Sequence, residues 1–414
     1  MSILASQRER DPTAGYARDF VEVVRSLLPF WRNGSKVRVI TNAGGLNPNG
    51  CAQACAKLLR QAGLPSMKIG IVTGDDVLPL LLEDPGTEAY ANLETKEPIG
   101  RISQSLVTAN AYLGADAIVE ALCNGADLVI TGRVADPSLT VAPCVAEFGW
   151  DFNDHDRIAG ATVAGHLIEC GTQVTGGIST DWLEIPDPAS IGFPVVEVNA
   201  DGSCVVTKPR KSGGVVNERT VKEQLLYEIG DPDNYLSPDV TASFLSLQVR
   251  EERMNRVRVS GAQGRAATSS YKVSASYRDG FWAQGMLTIF GRGAVAKARR
   301  CGEIILQRVR AAGYELQRSS VECVGAGACL PGLLDKSVEG ALLETVLRVT
   351  VADPRREAVE RFTREISPLI TGGPQGVTGY AAGRPRVHPG FGYWPCLIHK
   401  AVVKPQVTML TTKR

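Results

Sequence analysis

Three times in its first half the sequence follows a short apolar run with a polar, glycine-rich turn and then a helical pattern. This repeated unit limits the fold more than any other feature. Lys36–Thr41 (KVRVIT) is a largely apolar run of the kind that forms a buried parallel strand. It leads into NAGGLNPNG and then into Cys51–Gln61 (CAQACAKLLRQ), an amphipathic helix ended by Gly63. Met67–Val72 (MKIGIV) is the next strand, TGDD its turn, and Ala117–Asn124 a later helix. Asp127–Thr131 (DLVIT) is the third strand, followed by GRVADPSLT and a helix over Val141–Phe148. Strand–turn–helix units in series predict an α/β fold with a parallel, Rossmann-like sheet in the first half.

The middle of the chain has another grammar. Val195–Lys208 (VVEVNADGSCVVTK) is a hairpin around Asp201-Gly202. Arg256–Ser260 and Tyr271–Tyr277 alternate as strands do, Gly285–Phe290 is a further strand, and Ala294–Ala312 is a long amphipathic helix. This predicts an additional α+β domain. The expected organisation is an α/β domain over 1–190, an α+β domain over 191–320, and a C-terminal segment, 321–414, that packs back on the first domain. The stretch from Thr371 to Pro395 is rich in glycine, yet it holds Tyr380, Phe391, Tyr393 and Trp394 with Arg384 and Arg386. Aromatic content argues for an ordered loop. It is expected to wall a cleft, with Tyr380 or Arg384 reaching a ligand; a dimer interface is the competing expectation.

Charge and cysteine content exclude several classes. Lys+Arg is 45 against 44 Asp+Glu, a net charge of +1, with no basic stripe, so no nucleic-acid partner is expected. The apolar runs are too short to span a membrane, and MSILASQRERDPTAG lacks the apolar core of a signal peptide; a cytoplasmic location is expected. The ten cysteines are dispersed, without a CxxC pair, and Cys51 and Cys55 have no second pair at zinc-finger spacing. They read as free thiols of a reducing compartment.

The chemistry concentrates in two places. In parallel α/β sheets ligands bind at the carboxyl ends of the strands. Here those ends carry Asn42, Gly44, Gly45 and Asn47 after the first run, Thr73, Gly74, Asp75 and Asp76 after the second, and Thr131, Gly132, Arg133, Asp136 and Ser138 after the third. Asp136 before Pro137 suits an N-cap, and Arg133 offers a fork for a carboxylate or phosphate. The second place is GHLIECGTQVTGG, residues 165–177. Begun as a helix, it sets His166, Glu169, Cys170 and Gln173 at i, i+3, i+4 and i+7 on one face. Such a stripe faces solvent or lines a polar pocket; the pocket is the reading adopted. A thiol nucleophile is disfavoured, because i and i+4 on one helix rarely give the in-line geometry of a Cys–His pair.

Other chemistries leave weaker traces. Asp75 and Asp76 could hold a divalent metal with Asp136, His166 or Glu169, but no HxH, HExxH or DxDxDG pattern supports one. No GxGxxG or GxxxxGK[ST] follows a strand; the nearest match, Gly291–Ala296 (GRGAVA), lies outside the parallel half. Ser138 is not in a GxSxG elbow.

TNAGGLNP, TGDD, ANAYLGA, ADLVITGRVADPSL, GHLIECGTQVTGG, TVKEQLLYEIGDPDNYLSPDV, GVTGYAAGRPRV and FGYWPCLI together resemble the acyclic terpene utilisation family, the AtuA-like proteins. The resemblance implies a role in branched acyl-CoA or carboxylic-acid catabolism, of lyase or hydratase type, with a CoA thioester as substrate moiety and no certain cofactor. The alternative is a non-catalytic subunit that binds substrate or scaffolds an acyl-CoA-processing complex. The resemblance also implies a preceding strand and glycine-rich turn, which makes this an N-terminally shortened member. In some relatives it implies a small C-terminal ferredoxin-like domain that a partner subunit would supply here; a homo-oligomer is the other expected assembly. For such chemistry His166 and Glu169 are the expected acid–base pair, with Asp136 in the catalytic set. Asn42 and Gln173 would polarise a carbonyl and Arg133 would hold a carboxylate. Gly44, Asn47, Asp75, Asp76, Cys170, Tyr380 and Arg384 complete the expected substrate-binding set.

Overall fold

The predicted parallel sheet forms from the three apolar runs. Val39–Thr41 (β1), Lys68–Thr73 (β2) and Leu128–Thr131 (β4) lie side by side in the order β1-β4-β2, all parallel. β4 is buried at every position, as a strand covered on both faces must be. The strand Gln406–Thr411 adds to the free side of β2 in the antiparallel sense. The helix Pro48–Gln61 begins three residues before the predicted start, because Asn47 accepts from Gly50 N at 2.9 Å and Pro48 occupies the first turn. With the helix Phe20–Arg32 it buries Leu59, Cys55, Val24 and Trp31 against Ile69, Leu128 and Ile130 of the sheet.

The computed structural model describes residues 1–64, 66–83, 90–330, 332, 336–379 and 383–412. By contacts the chain divides into two units, residues 1–276 with 394–414, and residues 277–393. The predicted hairpin falls in the first and the long helix in the second.

In the first unit, Leu106–Ala111 (β3) is a strand the apolar pattern does not announce, since Thr108, Asn110 and two alanines fill four of its positions. It lies outside the parallel sheet β1-β4-β2; it pairs with the long strand Ser270–Phe290 (β12). The hairpin forms as predicted, Val195–Val198 (β5) against Cys204–Thr207 (β6), and Gln248–Arg253 (β9) and Arg256–Ser260 (β10) extend it in the order β5-β6-β10-β9. Tyr235–Leu236 (β7), Thr241–Ser243 (β8) and Gln263–Arg265 (β11) form a small antiparallel sheet. The predicted strands Tyr271–Tyr277 and Gly285–Phe290 are one strand, β12, of which the first unit takes the part up to Ser276.

The second unit runs from β12 through the helix Ala294–Ala311, Arg318–Val324 (β13), Glu344–Asp353 (β14) and the helix Arg356–Thr363 to Val377–Gly379 (β15). Its sheet order β13-β14-β12-β15 is that of a split βαβ arrangement. Phe362, Ile305, Leu287 and Leu347 fill the core between helices and sheet.

One buried carboxylate positions the polar loops of the parallel sheet. Asp75, 4% exposed, accepts from Arg133 N at 2.7 Å and from Asn110 Nδ2 at 2.9 Å. It thereby ties the ends of β2, β3 and β4 together. Burial pushes its carboxyl above the usual range, against the lowering effect of those donors. Gly132 makes the approach possible, because a Cβ there would land on the Asp75 carboxylate. Gly132→Ala is therefore expected to destabilise the protein by about 1–3 kcal/mol, the cost of overpacking a filled site. Chemical denaturation of both proteins measures it, and an unchanged midpoint would remove this account of the loop junction.

Candidate functional site

The loops at the carboxyl edge meet as their parallel strands require. Asn42 Nδ2 donates to Asp136 Oδ1 at 3.2 Å, joining the turn after β1 to the turn after β4. Arg133 Nη2 donates to both oxygens of Asp136, at 3.1 and 2.9 Å. Asp136 makes no cap bond: the helix Ser138–Phe148 has no side-chain N-cap, and the carboxylate turns instead to Arg133 and Asn42. The guanidinium of Arg133 stacks 4.3 Å from the ring centroid of Tyr112, just beyond β3, and Lys272 Nζ lies 5.8 Å from the same ring. Tyr112 N donates to Lys272 O at 2.9 Å, which fixes the two side by side.

These residues form one side of a cleft of about 550 Å³ lined by Tyr112, Arg133, Asp136, Glu169, Glu228, Tyr235, Tyr271 and Lys272, with Leu93, Leu236 and Leu397 as apolar patches. Acidic and basic groups thus face one space. Burial, then the charges of Glu169, Asp136 and Glu228, pushes the Tyr235 phenol well above its ordinary value, so it stays protonated as a donor. Tyr271 is pushed up to about 12, mainly by burial.

His166 stands behind the wall. It is 1% exposed, and both ring nitrogens are engaged. Nε2 lies 2.9 Å from the Gln224 carbonyl oxygen, and Nδ1 lies 2.9 Å from Glu169 Oε1. A carbonyl oxygen only accepts, so Nε2 carries a hydrogen. Gln224 Nε2 returns a bond to His166 O at 2.9 Å, and the rings of Tyr235 and Phe244 pack at 5.9 and 5.8 Å. Glu169 lines the cleft and His166 orients it from behind.

The remaining predicted residues are dispersed. The stripe from His166 breaks at its third member: the helix His155–Glu169 ends, Cys170 is its C-cap, and Gly171, at φ 59°, starts a 3-10 turn that carries Gln173 away from the helical face. Burial pushes the Cys170 thiol up, which disfavours a thiolate. Asp75 lies under the loops as described, and Asp76 is exposed and accepts from Leu78 N at 3.1 Å. Asn47 is a helix cap that also donates to Thr13 O and Ala14 O, each at 3.1 Å, and Gly44 packs against Thr131 O and Pro48. Tyr380 lies outside the described residues, and Arg384 belongs to the second unit. From the aromatic C-terminal stretch, Trp394 belongs to the first unit and donates to Tyr90 O at 3.1 Å. Among the described residues, no group of three His, Cys, Asp or Glu could hold a metal, and no helix is long and apolar enough to cross a membrane.

Sequence reasoning missed Tyr112, Tyr235, Tyr271, Lys272 and Asp239. Tyr112 was findable: it follows LVTANA at a strand's carboxyl end, the position that marks the other loops. Asp239 is buried beside the cleft residues Ser237 and Pro238. It accepts from Ala115 N at 2.7 Å and from the Ser138 hydroxyl, at the starts of two helices. Lys400 Nζ donates to Pro238 O at 2.7 Å and lies 5.3 Å from the Tyr271 ring.

The family model described as acyclic terpene utilisation family protein AtuA matches residues 1–409. No curated protein and no solved structure matches the chain.

Burial raises the Asp239 carboxyl from 3.8 to about 6, against the pull of Ser138 and Ala115. A carboxyl raised in the folded state contributes stability that is fully present below its unfolded value and is lost as pH rises through the folded one. Between about pH 3 and pH 7 the wild type should therefore lose about 3 kcal/mol relative to Asp239→Asn. Melting both proteins across that range tests this; parallel curves would show that Asp239 does not titrate there.

Proposed function

We propose a function from one premise: this chain belongs to the acyclic terpene utilisation family AtuA. In our reading it is an enzyme of branched acyl-CoA or carboxylic-acid catabolism, a hydratase or lyase that adds water to, or removes it from, the carbon chain beside a carbonyl. The observation that carries the reading is the Glu169–His166 pair, a carboxylate on the cleft wall hydrogen-bonded to a buried imidazole.

Hydration of an α,β-unsaturated acyl group needs a base for water and a cradle for charge on the carbonyl oxygen. Glu169 takes a proton from water as its oxygen bonds to the β-carbon and the alkene electrons move towards the carbonyl oxygen. The same pair returns a proton to the α-carbon. Elimination is the reverse. His166 is the positioning residue: held by Gln224 O, it fixes the Glu169 carboxylate and offsets its charge. Arg133 and Lys272 are the cations for the carbonyl oxygen or a free carboxylate, with Asp136 and Tyr112 setting the plane of the Arg133 fork. Leu93, Leu236 and Leu397 suit a branched hydrocarbon chain.

The test is turnover of branched enoyl-CoA thioesters and their free acids, read as gain or loss of water by mass spectrometry, with thermal shift as the binding readout. Glu169→Gln should lower kcat by about 10²–10⁴ and leave binding nearly intact. Arg133→Ala should weaken binding. Binding without turnover of any of these compounds would favour the non-catalytic subunit instead, and absence of binding would remove both readings.

A further inference from the structure

Two turns at one end of the hairpin sheet gather positive charge although the whole chain is nearly neutral. The turn after β6 carries Lys208, Arg210 and Lys211, and the turn between β9 and β10 is flanked by Arg253 and Arg256. With Glu197 they line a recess of about 510 Å³ in the first unit. Glu197 is its one acidic lining residue among those described, and it is already taken. Arg256 grips it with two hydrogen bonds, at 2.7 and 2.6 Å. That contact, reinforced by the charge of Arg253, holds the Glu197 carboxyl below its ordinary value. Lys208 is spent on the Ser212 carbonyl, at 2.7 Å, which pins its own turn. Among the described residues, Arg210, Lys211 and Arg253 make no side-chain hydrogen bond or ion pair.

The turns are shaped as well as charged. Lys211 and Asn255 both sit in the left-handed region, at φ 66° and 58°, which is uncommon for a lysine and ordinary for an asparagine in a tight turn. Asn255 Oδ1 accepts from Val216 N at 2.9 Å and so fixes the second turn. Three uncommitted cations in one recess exceed what a single carboxylate can match. Guanidinium forks and an ammonium suit the oxygens of adjacent phosphates. The recess is a compact, open concavity rather than a long stripe, and no aromatic side chain lines it, which disfavours a nucleic-acid strand that would stack its bases.

We propose that this recess binds the adjacent phosphates of a small ligand, the chemistry shared by nucleoside polyphosphates and the pyrophosphate of coenzyme A. The proposal stands independently of the reading of the cleft. Calorimetric titration at low salt with pyrophosphate, ATP and coenzyme A, against inorganic phosphate, tests it. Pyrophosphate should bind at least about tenfold more tightly than phosphate, and added salt should weaken it. Lys211→Glu/Arg253→Glu should weaken pyrophosphate binding by about tenfold or more, with an unchanged circular dichroism spectrum. Arg210→Glu, a single exposed change, should act in the same direction. Tighter binding of ATP assigns a nucleotide as the source, and tighter binding of coenzyme A, lost in the same variants, assigns that cofactor. Pyrophosphate binding that is no tighter than phosphate, or equal in wild type and variants, overturns the site. Preference for a single-stranded oligonucleotide over ATP, with the same variant sensitivity, overturns the small-ligand assignment.

Discussion

The carboxylate of Asp75 is the contact on which the carboxyl edge of the sheet depends. A buried charge is costly unless donors surround it, and here the donors are the backbone of Arg133 and the amide of Asn110. Removing it would strand both. The consequence runs outward through a chain of ties. With its backbone anchored, Arg133 presents its side chain to Asp136 and to the face of Tyr112. Asp136, held in turn, takes Asn42. Four loops from β1, β2, β3 and β4 are thus set by one group that never reaches the cleft.

That cleft divides its labour by charge. Arg133 and Lys272 share the Tyr112 ring, while Glu169, Asp136 and Glu228 lie close enough to Tyr235 to add to the rise that burial gives its phenol. In the proposed reaction an acid–base carboxylate and cations for a developing negative charge must face one space without neutralising each other. Pairing Arg133 with Asp136 and Glu169 with His166 meets that need. Arg133 and Glu169 thus each have a partner beside them on their own side of the cleft.

Much of this was legible in the sequence because it follows from period and punctuation. The parallel strands were visible as apolar runs, the hairpin as Asp201-Gly202, and the meeting of Asn42, Asp75, Arg133 and Asp136 followed from their shared place after parallel strands. What stayed hidden depended on tertiary partners. β3 pairs with a strand far along the chain, so its Thr and Asn positions carry no periodic mark. The stripe from His166 to Gln173 reads as one helical face only while the helix continues, and Gly171 ends it. Asp239 sits in DNYLSPDV, where nothing local shows that its carboxylate will meet Ala115 and Ser138. The basic recess was invisible because whole-chain charge averages over turns that only the fold brings together.

The burial of His166 explains why Glu169, and not the imidazole, reaches the cleft. An imidazole on the wall would be free to choose its tautomer and to turn with each ligand. Behind the wall, the Gln224 carbonyl fixes a hydrogen on Nε2, and the aromatic rings of Tyr235 and Phe244 hold the ring plane. Gln224 itself is held by its return bond to His166 O, so two hydrogen bonds tie the helices His155–Glu169 and Glu218–Leu226 together. The Nδ1 contact then holds the Glu169 carboxylate in one orientation at the cleft wall, which the proposed acid–base role of Glu169 requires.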